Sequence, residues 1–148
     1  MNRDYFSLEV APSIVSGRGS SQAAGERGRR ARVLIAEDDD SLRMLMRLSI
    51  DVGGVVIDEA TDGEAALALA RRNPPDVVLL GWMMPVVDGL GVCRALRADP
   101  QTAGALIVMV TARALPEDRD MALAAGADHY LAKPFSPAAL LETVRHAI

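Results

Sequence analysis

Five short apolar runs, each followed by a longer stretch whose apolar residues recur at helical spacing, fill the chain from Val33 to its end. The runs read as strands over Val33–Ala36, Val55–Ile57, Asp76–Leu80, Leu106–Val110 and His129–Ala132. Most are continuously apolar rather than alternating, the pattern of strands covered on both faces. Helical spacing is carried first by Leu42, Leu45, Met46 and Leu48, then by Ala65, Leu67, Leu69 and Ala70. Three more helices are expected near Leu90–Arg97, Glu117–Ala125 and from Pro137 onward. A strand followed by a helix, five times over, is satisfied by a parallel sheet with right-handed crossovers and helices on both faces. The fold class is therefore α/β, a doubly wound five-stranded parallel sheet.

The punctuation agrees with this reading. Ser136 before Pro137 places a capping hydroxyl at a helix start and proline at the first helical position. Gly126 follows the fourth helical pattern where a left-handed C-cap is needed. In such sheets ligands bind beyond the carboxyl ends of the strands, so those ends hold the candidate site. They carry Glu37, Asp38, Asp39 and Asp40 after the first strand and Gly81, Trp82, Met83, Met84 and Pro85 after the third. Thr111 and Ala112 follow the fourth strand, and Lys133 and Pro134 the fifth. Adjacent carboxylates repel one another unless a cation, a basic partner or water relieves them. Magnesium suits such a cluster, since it prefers oxygen ligands and bridges to phosphoryl groups. Lys133 would add a positive charge, and Thr111 a hydroxyl donor, for phosphoryl oxygens. Asp39 and Asp40 are better placed to cap the first helix, where negative charge is favourable.

Composition narrows the function classes. A chain of 148 residues supports one domain with its own core. No apolar run reaches the roughly 18 to 20 residues that span a bilayer, so no membrane association is expected, and the N-terminal residues lack the pattern expected of a secretory signal. The single cysteine, Cys93, excludes an internal disulfide, fits a cytoplasmic location, and reads as a packed core thiol. Residues 1–32 hold six arginines against Asp4, Glu9 and Glu26, which leaves the rest of the chain at −7 within a total of −4. An acidic domain is a poor direct partner for nucleic acid. The Gly-, Ser- and Arg-rich start reads as a disordered leader over residues 1–31, with the folded domain from 32 to 148. His129 and His146 lack metal-ligand spacing; His146 suits the negative end of the last helix.

The segments VLIAEDD, PDVVLLGWMMPVVDG, IVMVTA and GADHYLAKPF occur in the order and spacing of response-regulator receiver domains of two-component signalling, and the resemblance spans roughly Arg32 to Ile148. It implies a flavodoxin-like sheet of order 2-1-3-4-5. It also implies that Glu37 and Asp38 hold magnesium with the backbone carbonyl of Met83. Thr111 and Lys133 would then sense a phosphoryl group, with Tyr130 as the switch aromatic. The implied partners are a sensor histidine kinase or phosphotransfer protein, a downstream signalling protein, or a second copy of the chain. Receivers are signalling modules rather than enzymes.

One position departs from the pattern. Where the family carries the aspartate that attacks a phosphohistidine, this chain has Gly81, which offers no nucleophile. Trp82, Met83 and Met84 cannot form an acyl phosphate, Asp76 stands at the strand's far end, and Asp88 lies in the following loop. The resemblance therefore implies failed phosphotransfer and weakened magnesium binding, in either a receiver that signals without phosphorylation or an inactive variant of a normal one. Lys133 would lose its expected partner and turn toward Glu37 or Asp38. A glycine demanded by an unusual backbone dihedral is the structural alternative. Trp82, Met83 and Met84 also read as apolar anchors of their loop, and Tyr130 as a half-buried strand aromatic. Two other functions compete: a haloacid-dehalogenase-like phosphatase using Asp38, and a cofactor-binding flavodoxin-like domain.

Overall fold

A computed structural model describes residues 29–147; of the expected leader, residues 1–28 lie outside the described residues. The chain alternates β1 (Ala31–Ala36), α1 (Asp40–Ile50), β2 (Val55–Ala60), α2 (Gly63–Arg72), β3 (Val77–Gly81), α3 (Gly89–Ala98), β4 (Leu106–Thr111), α4 (Pro116–Ala125), β5 (His129–Ala132) and α5 (Pro137–Arg145). The five strands form one parallel sheet in the order β2-β1-β3-β4-β5. This is the expected doubly wound, flavodoxin-like architecture. Alternate residues of the central strands feed two cores. Val33, Ile35, Val77, Leu79, Val108 and Val110 pack under α1 and α5 with Met46, Ile50, Leu140 and Val144. Leu34, Val78, Leu80, Ile107 and Met109 pack on the other face with residues of α2, α3 and α4. Val77 to Leu80 are all fully buried. At about 1.5 to 3 kcal/mol for each large apolar side chain removed from water, β3 anchors the fold and holds its carboxyl end in place.

The helix signals sit where the sequence puts them. Ser136 accepts a hydrogen bond from the Ala139 N–H at 3.2 Å, and Asp39 caps α1 by accepting from the Leu42 N–H at 2.9 Å. Gly126 takes φ 117°, the left-handed cap that L side chains avoid. Several details differ from expectation, including β3 starting at Val77 rather than Asp76 and β4 ending at Thr111 rather than Val110. β2 runs three residues past Ile57, because the charges of Asp58 and Glu59 on this edge strand are met by Arg32 at 3.1 Å and Arg43 at 3.0 Å. β1 starts at Ala31, inside the expected leader, since it pairs with Val55 of β2. β3 includes Gly81, which pairs with Val110 of β4. In α1 the buried stripe is Met46 and Ile50, with Leu42 partly buried, while Leu45 and Leu48 are exposed. Both apolar sets fit a helical period, and only the position of α5 selects which one faces the core.

Candidate functional site

The carboxyl ends of β1, β3, β4 and β5 bring Glu37, Gly81, Thr111 and Lys133 to one edge of the sheet. Register explains the grouping: Ala36 pairs with Leu80, Gly81 with Val110, and Thr111 with Ala132. The Lys133 N–H donates to the Thr111 carbonyl at 2.8 Å, which ties the last two residues together through the backbone. A cis peptide bond joins Lys133 to Pro134.

Gly81 lies in regular strand, and its φ is outside the left-handed region that Gly53, Gly54 and Gly126 occupy. The backbone therefore does not require glycine there, which removes the dihedral explanation. Space is the issue instead. A Cβ added at Gly81 would lie 2.4 Å from Glu37 Oε1 and 3.2 Å from Glu37 Cδ, against 3.5 Å from the Ala36 carbonyl. The Glu37 carboxylate thus fills the volume that a side chain at position 81 would take.

Glu37 is 3 % exposed. Its Oε2 accepts from the Asp39 N–H at 3.0 Å, whereas Oε1 accepts no hydrogen bond among the described residues, and Lys133 Nζ stands 3.8 Å from it. Burial pushes the Glu37 carboxyl above the usual carboxylate range; the Asp39 N–H and the Lys133 charge pull it partly back. Lys133 thus turns to Glu37, one of the two carboxylates expected for it. Asp38, next in sequence, is exposed, and its negative charge raises the Glu37 carboxyl further.

This donor set is a poor fit for a divalent cation. One Glu37 oxygen faces Lys133 and the other serves the α1 cap, Gly81 contributes nothing, and among the described residues no group of three or more acids, histidines or cysteines is placed to hold a metal ion. The Asp38 carboxylate follows Glu37 instead of directly following the apolar strand, which does not favour phosphatase chemistry of the dehalogenase kind.

The third-strand loop divides. Trp82 and Met84 are buried anchors, whereas Met83 is 65 % exposed, which corrects the expectation that its side chain anchors the loop. The loop bends because Gly89 meets β3 closely: its N–H donates to the Trp82 carbonyl at 2.7 Å, and a Cβ there would lie 2.3 Å from the Gly81 carbonyl.

Arg113, which the sequence reading passed over, organises the other rim. Its guanidinium lies 4.4 Å over the Trp82 ring and pairs with buried Asp118 at 3.0 Å. Its N–H donates to Thr111 Oγ1 at 3.1 Å, and its carbonyl accepts from the Tyr130 hydroxyl. Tyr130 also packs partly buried against the α2–α4 core, so it is a half-buried strand aromatic engaged with the β4–α4 loop. No local signal marks it, since Trp82, Asp118 and Tyr130 come from other segments of the chain.

The comparisons with known proteins agree with the fold. Residues 33–145 match the family model described as the response regulator receiver domain. The chain is 36 % identical over 114 residues to the phosphate regulon transcriptional regulatory protein PhoB of Rhizobium meliloti (strain 1021), covering 77 % of this chain and 50 % of that protein. It is 42 % identical over 114 residues to the response regulator MprA of Mycobacterium sp. (strain KMS), covering 77 % of this chain and 49 % of that protein. The chain spans about half the length of these curated relatives. Among solved structures, the Vibrio cholerae chemotaxis protein CheY4 superposes with a TM-score of 0.74 at 33 % identity, covering 80 % of this chain and 99 % of that one.

Proposed function

The chain belongs to the response regulator receiver domain family of two-component signalling, and from that premise we propose that it is a receiver that signals by protein contact without an aspartyl phosphate. Response regulators exchange signals with histidine kinases and downstream effectors, and receivers are signalling modules. The observation that carries the finer reading is the Glu37 carboxylate seated against Gly81. The acceptor position has no nucleophile, and the space a nucleophile would use is filled by a group already paired with Lys133. Phosphoryl transfer needs a carboxylate oxygen free to attack in line with the departing group. Glu37 is buried and held at both ends, so it does not present one.

In this reading Lys133 and Thr111 keep the rim in one arrangement where a phosphoryl group would otherwise draw them together. Tyr130, held by the Arg113 carbonyl, serves the β4–α4 loop instead of switching. Magnesium, which receiver domains generally bind, is held weakly or not at all. The partners are a sensor histidine kinase or phosphotransfer protein, a downstream signalling protein or a second copy of the chain, met in the cytoplasm. Among the described residues no helix is long and apolar enough to cross a membrane.

The test is intact-protein mass after incubation with a small-molecule phosphodonor and magnesium, on this chain and on Gly81→Asp. The unaltered chain is expected to keep its mass, while the variant gains one phosphoryl group once its new side chain displaces Glu37. A phosphorylated unaltered chain would overturn the reading.

A further inference from the structure

Building on the phosphorylation-independent role, we infer that the pocket is filled from within. The Glu37 carboxylate, paired with Lys133 in the volume next to Gly81, takes the place where a divalent cation and an acceptor carboxylate would meet, and closes the pocket to magnesium. The two oxygens of Glu37 are separately committed, Oε2 to the Asp39 N–H at 3.0 Å and Oε1 toward Lys133 Nζ at 3.8 Å. Oε1 is turned inward, 2.4 Å from where a Cβ at position 81 would be. It is buried and, among the described residues, accepts no hydrogen bond and has the lysine as its one charge partner.

Magnesium demands a near-octahedral set of oxygens and gives up its own water reluctantly. Here it would have to draw Glu37 off both partners while facing the Lys133 charge. It would gain Asp38, which is exposed, and the neutral Met83 carbonyl that the resemblance implies, with no third carboxylate grouped there among the described residues. Glu37 and Asp38 together bring two negative charges and Lys133 returns one positive, so the pocket offers a cation a single net charge. The lysine thus performs permanently, on the chain's own carboxylate, the neutralisation that a bound ion would supply. Lys133 is the chain's only lysine.

Trp82 is the chain's only tryptophan and directly follows Gly81, so its fluorescence reports on the pocket. The full chain would be titrated with magnesium chloride at constant ionic strength, beside Gly81→Asp, Lys133→Met and Gly81→Ala. The unaltered chain is expected to show no saturable change through the millimolar range. Gly81→Asp, which restores a third carboxylate and displaces Glu37, is expected to respond saturably. Lys133→Met is expected to bind about tenfold tighter than the unaltered chain, the scale of one unit charge a few ångströms from a partly screened cation. Gly81→Ala adds no ligand atom and is expected to show a gain in the same direction, because its methyl group expels Glu37; it carries the test if Lys133→Met does not fold.

A saturable millimolar response from the unaltered chain would overturn the inference. So would silence from both Lys133→Met and Gly81→Ala, which would make the missing third carboxylate the whole barrier. Silence from Gly81→Asp as well would overturn the mapping of the pocket. Failure here is separable from failure of the proposed function. A magnesium response without phosphorylation sinks this inference alone, and phosphorylation of the unaltered chain without a magnesium response sinks only the function.

Discussion

Gly81→Ala in a double-mutant cycle with Glu37→Ala measures whether the two positions share one volume. The added Cβ would stand 2.4 Å from Glu37 Oε1 and 3.2 Å from its Cδ, both at the end of a flexible side chain, and a tolerable 3.5 Å from the Ala36 carbonyl. The strand can therefore stay and Glu37 must leave. Leaving breaks the hydrogen bond from the Asp39 N–H, and a bond to a charged group is worth about 1.5 to 3 kcal/mol. It also breaks the pairing with Lys133, whose side chain is 29 % exposed, so that loss is below about 1 kcal/mol. Water regained by the buried carboxylate offsets part of both. Alanine in a strand interior recovers about 0.5 to 1 kcal/mol over glycine. Gly81→Ala alone is thus expected to be neutral to about 1 kcal/mol destabilising, whereas in the Glu37→Ala background it stabilises by about 0.5 to 1 kcal/mol. The coupling is about 0.5 to 2 kcal/mol, or roughly 2 to 8 °C in Tm for a domain of this size. Urea unfolding of the four proteins measures it. Effects that add within about 0.5 kcal/mol would refute the shared volume.

Cys93 is fully buried and its thiol is pushed up to about 11 by burial, so an aromatic disulfide reagent at pH 8 is expected to react with it only after denaturation. Stoichiometric reaction within minutes in native buffer would contradict the packing of α3. Glu37→Gln tests the raised Glu37 carboxyl: a folded pKa above the ordinary 4.5 means that folding takes up a proton, so the contribution is most favourable below 4.5 and is lost as pH rises through the folded value. The glutamine variant is therefore expected to gain stability relative to the unaltered chain as pH rises from 4.5 toward neutrality, read from urea midpoints. A constant or shrinking difference would contradict the burial of that charge.

Much of the site was legible in residue order because strand ends converge in any doubly wound sheet. Glu37, Gly81, Thr111 and Lys133 each follow an apolar run and needed only the parallel topology to meet. Arg113 was not legible, because its partners Trp82, Asp118 and Tyr130 lie on three other segments and no local pattern ties a loop arginine to a tryptophan ring. The end of β2 was hidden for a similar reason: Asp58 and Glu59 look like loop until Arg32 and Arg43 are placed beside them.

The sequence by itself determined the alternation of strands and helices, the Ser136 and Gly126 caps and the absence of a side chain at position 81, since each depends on residue type and near neighbours along the chain. Only the tertiary structure decided which stripe of α1 is buried, since Leu42, Met46 and Ile50 compete with Leu45 and Leu48 until α5 covers one side. It alone showed that Gly81 has ordinary strand geometry and that Glu37 occupies its side-chain volume opposite Lys133. Occupancy of a volume is a relation among atoms brought together by sheet register, and residues 37, 81 and 133 become neighbours only when β1, β3, β4 and β5 are aligned.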